Sequence, residues 1–170
     1  MAVHDTTPVE QRVLSVLVEN RPGVLAHVVG LFAARGFNIA SLAVGETEDR
    51  TMSRITLVAE GDQKTIEQIR KQLNKLIDVI KVVDLTEEEM IDRELMLVKL
   101  KNTPENKKAV EPITTQFRVR VADENPKVFT LECIESHKNT NHLFDLFHKM
   151  GILEIAQTGV VALSKKPTKD

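Results

Sequence analysis

The sequence predicts an α+β fold built from two tandem units, each reading β-α-β-β-α-β. Three observations carry this prediction. Near-continuous apolar runs of strand character alternate with apolar stripes at helical spacing, in the order strand, helix, strand, strand, helix, strand. That order is complete before residue 86 and starts again after residue 93. The 170-residue length suits two domains of about 80 residues each.

The first strand covers Arg12–Glu19, where Val13, Leu14, Val16, Leu17 and Val18 form the run expected of a central strand covered by helices. It stops at Asn20-Arg21-Pro22-Gly23. Proline is tolerated in a first helical turn, and Val24, Leu25, Val28, Val29 and Phe32 then make one apolar helix face. Gly36, after Arg35, reads as the C-terminal cap. Phe37–Glu46 and Met52–Glu60 form a hairpin turned at Glu48-Asp49-Arg50, with Ile55, Leu57 and Ala59 alternating against Arg54, Thr56 and Val58. Asp62 caps a second helix striped by Ile66, Ile69, Leu73, Leu76 and Ile77, and Asp78–Leu85 supplies the closing strand. Strands joined this way lie in one sheet with both helices on one face, the ferredoxin-like arrangement. The opposite face also carries branched aliphatics, so a lone copy is expected to leave it bare and to pair with another.

Thr86-Glu87-Glu88-Glu89 has capping-box spacing and predicts one or two helical turns through Arg93. The pattern then repeats. Glu94–Lys101 is a strand, and Thr103-Pro104-Glu105 opens a helix that Pro112 ends or kinks. Phe117, Val119 and Val121 alternate with Arg118 and Arg120, Asn125-Pro126 turns into Lys127–Glu135, and Leu143, Leu146, Phe147 and Met150 stripe a helix stopped by Gly151. Ile152–Ser164 contains the last strand. The expected domains are therefore 12–85 and 94–164, with a tail at 1–11, a linker at 86–93 and a disordered tail at 165–170.

Composition narrows the function. Net charge is −2, and the two halves carry nearly the same balance, so neither is a polyelectrolyte arm for nucleic acid. The chain has no Trp, no Tyr and six Phe, which makes the core aliphatic and removes the stacking platforms of single-strand binders. A single cysteine, Cys133, rules out an internal disulfide and a multi-cysteine zinc site and fits a reducing compartment. No apolar run approaches the roughly 18 residues of a membrane span, and Met1-Ala2-Val3-His4-Asp5 lacks a signal-peptide core. A soluble cytoplasmic protein, with no nucleic-acid or membrane partner, is the expectation.

Catalytic patterns are missing as well. The seven glycines never form a phosphate-binding loop, the histidine spacings miss a metal pair, and Cys133 shares the apolar alternation of Phe129 and Leu131. No nucleophile-base arrangement or carboxylate pair has recognisable flanks. What remains is Asn20-Arg21-Pro22-Gly23 between strand and helix. Unpaired backbone N–H groups and the helix dipole there favour an anion, such as a carboxylate. Gly23 lets a ligand approach the backbone, and the Asn20 carboxamide can accept from an ammonium or donate to a carboxylate. The same residues would also simply open a helix with water on its N–H groups. A second polar feature, Asn38 in Gly36-Phe37-Asn38-Ile39, reads either as a ligand contact or as a turn residue.

These residues also carry a resemblance. Val13-Leu14-Ser15-Val16-Leu17-Val18-Glu19-Asn20-Arg21-Pro22-Gly23-Val24-Leu25, with Gly30-Leu31-Phe32-Ala33-Ala34-Arg35-Gly36-Phe37-Asn38-Ile39 and Ser41-Leu42, resembles the ACT domain of the small regulatory subunit of acetolactate synthase (acetohydroxyacid synthase). The likeness continues through Ser53-Arg54, Lys71–Val79 and Asp92-Arg93-Glu94-Leu95-Met96-Leu97-Val98-Lys99, weakens after residue 102 and returns at Gly151–Ser164. Gln157 stands where that family usually has arginine, and Glu135-Ser136 where it usually has Thr-Gly.

The resemblance implies a chain with no active site and no cofactor or metal of its own. Its partner would be the large catalytic subunit, which uses thiamine diphosphate, a divalent metal and FAD to condense pyruvate with a second 2-keto acid. The chain would raise that activity and confer feedback inhibition by valine in branched-chain amino acid biosynthesis. It further implies a homodimer through ACT domains, with Asn20, Gly23, Val24 and Leu25 of one copy and Asn38 and Ile39 of the other holding the effector. Burial of a valine side chain (about 1.5–3 kcal/mol) and a helix terminus (up to about 2 kcal/mol) fit a Kd between micromolar and millimolar. An alternative is a stand-alone ACT-type amino-acid-binding regulator of another enzyme or of a transcription factor.

Overall fold

The computed structural model describes residues 10–166. The first sheet contains β1 (Glu10–Glu19), β2 (Asn38–Glu46), β3 (Met52–Gly61) and β4 (Val79–Asp84), in the order β2-β3-β1-β4 and antiparallel throughout. Helices α1 (Val24–Arg35) and α2 (Gln63–Leu73) complete the βαββαβ unit. The second repeats it with β5 (Met90–Lys101), α3 (Pro104–Gln116), β6 (Val119–Glu124), β7 (Val128–Glu135), α4 (His137–Met150), β8 (Ile152–Gln157) and β9 (Val161–Ser164). Its sheet runs β6-β7-β5-β8, and β9 also pairs with β5. The predicted α+β class and the tandem ferredoxin-like arrangement are both present.

Each unit has its own core on the helix-covered face of its sheet. In the first, Leu14, Val16 and Val18 of β1 and Ile55, Leu57 and Ala59 of β3 meet Val24, Val28 and Phe32 of α1 and Ile66, Ile69 and Leu73 of α2. In the second, Met96, Val98, Leu100, Phe129, Leu131 and Cys133 meet Val110, Ile113, Leu143 and Phe147. Burial pushes the Cys133 thiol up to about 12, helped by the charges of Glu132 and Glu135. The helix signals act as predicted: Asp62 accepts a hydrogen bond from Thr65 N, Gly36 ends α1 at φ 66°, and Gly151 ends α4 at φ 82°.

Several local expectations differ. The predicted helical turns through Arg93 shrink to a 3-10 turn at Leu85–Glu87, capped by Asp84, and β5 starts at Met90. Within 86–93 the apolar residues are Met90 and Ile91, adjacent and not three or four apart, so a helix there would have no apolar face to bury beyond its capping signal. Helix α3 runs on through Pro112 to Gln116. Proline deletes one helical hydrogen bond, but Pro112 and Lys108, whose carbonyl loses its donor, are both exposed, so water can replace it. The last predicted strand divides into β8 and β9 around Thr158-Gly159-Val160.

On the second face of the first sheet, Arg54 Nη1 donates to Ser15 Oγ at 2.9 Å, joining β3 to β1.

The described residues divide into two compact units, one of residues 91–161 and the other of residues 10–90 with 162–166. Of the expected tails, 1–9 and 167–170 lie outside the described residues. Glu10 and Gln11 belong to β1. Lys165 N donates to Glu89 O at 2.8 Å, and Lys166 Nζ lies 2.9 Å from Glu88 Oε1.

Candidate ligand-binding site

Helix α1 begins at a residue only glycine occupies comfortably. Gly23, its N-cap, has φ 90° and ψ −15°, and a Cβ built there would meet nothing within 4 Å. Backbone conformation therefore demands glycine at this position. No side chain caps the helix. Val24 N reaches Arg21 O at 3.4 Å and His27 N reaches Gly23 O at 3.0 Å. Among the described residues, the N–H groups of Leu25 and Ala26 have no acceptor, which leaves two donors at the positive end of the helix dipole. Arg21 is paired with Glu19 at 2.7 Å and His27 Nδ1 lies 3.1 Å from Asp78 Oδ2, so both side chains are engaged away from the opening.

Asn20 is fixed by the hairpin beside it. Its backbone N donates to Thr51 O at 2.7 Å, and its Nδ2 donates to Arg50 O at 2.9 Å and to Glu46 Oε1 at 3.2 Å. Both amide hydrogens are thereby used, and Oδ1 accepts nothing among the described residues. This narrows the sequence reading, in which the carboxamide could serve a carboxylate or an ammonium: Oδ1 is the open atom, and it suits an ammonium. Val24 is 4% exposed and belongs to the core, so only its backbone can reach a ligand, whereas Leu25 is 40% exposed.

Asn38 and Ile39 lie elsewhere in the chain. Asn38 is the first residue of β2, pairs in register with Glu60, and donates a hydrogen bond from Nδ2 to Glu60 Oε2. Hydrogen bonds from Gln11 first and Asn38 second hold the Glu60 carboxyl below its ordinary value. Ile39 is half-buried and packs against the first core. Thr51, beside Asn20, and Glu60, beside Asn38, mark opposite ends of β3. Ten residues of strand separate the two clusters, roughly 30 Å. The structure thus brings Asn20, Gly23, Val24 and Leu25 together and keeps Asn38 and Ile39 at the far end of the sheet.

Sequence reasoning missed Ala26 N–H, Glu46 and Glu60. The first could be read as the third helical position. The carboxylates could not, because their roles follow from the strand register. Near the start of α4 the departures from the family pattern also have partners: Gln157 Nε2 donates to the buried Glu94 at 3.2 Å, His137 Nδ1 lies 2.9 Å from the same carboxylate, and Glu135 accepts from Asn139 Nδ2 and Arg118 N, both at 2.9 Å. No group of three or more His, Cys, Asp or Glu among the described residues could hold a metal ion. No helix among them is long and apolar enough to cross a membrane.

Comparison with known proteins covers both units. A family model described as the AHAS small subunit-like ACT domain matches residues 14–81, and one described as the small subunit of acetolactate synthase matches residues 93–166. A probable acetolactate synthase small subunit of Archaeoglobus fulgidus is 47% identical over 150 residues, covering 88% of this chain and 94% of that one. The acetolactate synthase small subunit of Mycobacterium bovis is 46% identical over 154 residues, covering 91% and 92%. The crystal structure of the Thermotoga maritima acetolactate synthase small subunit superposes with a TM-score of 0.77 at 36% identity, covering 94% of this chain and 99% of that one.

Proposed function

The chain belongs to the acetolactate synthase small-subunit family, and on that premise we propose that it is a non-catalytic regulator that binds the large catalytic subunit, raises its activity and makes it sensitive to valine. Thiamine diphosphate, a divalent metal and FAD belong to the large subunit on this reading, and the present chain contributes a sensor. The observation that carries the proposal is the separation of the two residue clusters, which is too long for one amino acid to bridge within a chain.

Two copies joined edge to edge remove that separation. Strand β2 ends the first sheet, and its residues 38–45 carry neither charge nor proline, the devices that usually blunt an exposed edge. In an antiparallel pairing of β2 with β2 of a second copy, Asn38 of one chain comes beside Glu46 of the other, and Glu46 accepts from Asn20. The carboxylate of valine then sits on the N–H groups of Leu25 and Ala26, its ammonium on Asn20 Oδ1, and its side chain against Leu25 of one copy and Ile39 of the other. Inhibition follows if this dimeric site binds valine better in a less active arrangement of the holoenzyme than in an active one.

Helix α1 supports the same pairing. Leu25 and Val29 expose 40% and 37% of their surface, and Ala26, Gly30 and Ala33 beside them are exposed too. A glycine inside a helix costs about 1 kcal/mol relative to alanine, and a Cβ at Gly30 would meet nothing within the chain. Close approach of a second copy accounts for it. Gly30→Lys should therefore convert a dimer to a monomer in sedimentation velocity without lowering the melting temperature; a wild-type chain that sediments as a monomer at all concentrations overturns the shared site. The regulatory role is tested by mixing the chain with its cognate large subunit. Acetolactate formation should rise several-fold and fall again on adding valine, and an unchanged rate rejects the role.

A further inference from the structure

A cleft of about 410 Å³ lies in the second unit between α3 and the β6-β7 hairpin, outside every residue assigned above. Its volume is within the range of about 300–1,000 Å³ common to small-molecule sites. Val110 and Phe129, both buried, form the floor. Val121 forms a wall; it pairs with the fully buried Leu131 on the core side of the sheet yet is 46% exposed. Hence apolar surface that the unit's own packing would normally cover is open here.

The rim is polar and unevenly satisfied. Glu124 is held by Lys107 Nζ at 2.5 Å and by Asn102 Nδ2 at 3.2 Å, and the hydrogen bond from Lys107, first among these causes, keeps its carboxyl below the ordinary value. Lys108 and the Glu111 carboxylate also line the cleft, and among the described residues neither has a hydrogen bond or ion pair. One face of α3 thus offers an unpaired cation, Lys108, and an unpaired carboxylate, Glu111, above an apolar floor. Strand addition is a poor match, since the β6 edge carries Arg120, Asp123 and Glu124 and shifts register between Val121 and Asp123.

We propose that this cleft binds a short branched aliphatic carboxylate, its tail on Val110, Val121 and Phe129 and its carboxylate on Lys108 Nζ. Such a ligand comes either from the amino acids, whose ammonium would meet Glu111, or from branched acids without an amino group. The site is separate from the one at Gly23 and does not rest on the regulatory reading.

The test uses the full-length chain, isotope-labelled and titrated with isovalerate and with valine while backbone amides are followed by NMR. Saturable shifts at α3 and β6 with a Kd in the millimolar range are expected for at least one of the two. Lys108→Glu, which reverses an exposed charge without a partner, should weaken that binding at least tenfold, and Gly23→Asp should leave it unchanged. Tighter binding of valine, lost in Glu111→Gln, identifies amino acids as the source; tighter binding of isovalerate identifies acids lacking an amino group. Absence of shifts at α3 and β6 up to about 20 mM of either ligand, or undiminished binding by the Lys108→Glu variant, overturns the proposal.

Discussion

Gly23→Asp is expected to abolish the valine response of the reconstituted enzyme while leaving its activation by this chain intact. The fixed carboxylate would lie beside the N–H groups of Leu25 and Ala26, taking the place of the effector's own and repelling it. Losing the helix-terminus contribution of up to about 2 kcal/mol together with like-charge repulsion should weaken binding by about 100-fold or more. The backbone adds a separate effect. At φ 90° any side chain is strained by about 1–2 kcal/mol, so the variant should also melt earlier. Gly23→Ala separates the two, because it carries the strain without the charge and should keep most of the valine affinity. Calorimetry on the chain alone and inhibition curves on the mixed subunits measure both quantities. Undiminished valine binding by the aspartate variant would sink the assignment of the effector site.

Phe32→Ala should have the largest effect on stability. Phe32 is 1% exposed, sits in the core between α1 and the sheet, and meets Phe37 edge to face at 6.0 Å. Truncating such a residue costs about 3–5 kcal/mol, against a whole-domain stability of about 5–15 kcal/mol. In urea, with a slope of about 1–3 kcal/mol/M, the transition of the first unit should move down by roughly 1–5 M. The second core has none of its residues in common with the first, so its transition should stay in place. A shift below about 1 M would mean that α1 packs less tightly than its burial indicates. Because α1 carries Gly23, loss of valine binding should follow the first transition and not the second.

The comparison of sequence with structure separates local signals from long-range ones. Gly36, Asp62 and Gly151 were legible because a cap depends on a few neighbouring residues, and the stripes on α2 and α4 were legible because one face of each is buried. Pro112 misled because its cost depends on whether the freed carbonyl meets water, which only the exposure of Lys108 reveals. Thr86–Arg93 misled because a capping pattern says nothing about whether the residues after it can bury a helical face, and the apolar pair there, Met90 and Ile91, is adjacent. The site divides in the same way. Asn20 and Gly23 could be marked from the strand-to-helix step, but the reason for Gly23 is its backbone angle. The engagement of Asn20 by Glu46 and of Asn38 by Glu60 depends on register between distant segments. So does the distance between the two clusters, on which the shared-site proposal stands.

Cys133 gives the molecule an internal probe. Its thiol is 1% exposed in the second core and titrates only near pH 12, so a maleimide or an oxidant in neutral buffer finds almost no thiolate to attack. Modification must wait for β7 to part from its neighbours, and with fast reclosure the labelling rate becomes the intrinsic rate multiplied by the opened fraction. A single mass shift per chain then clocks the breathing of one half of the protein and is blind to the other half. Any ligand that clamps the second unit would announce itself as slower alkylation, with no assay of enzyme activity required.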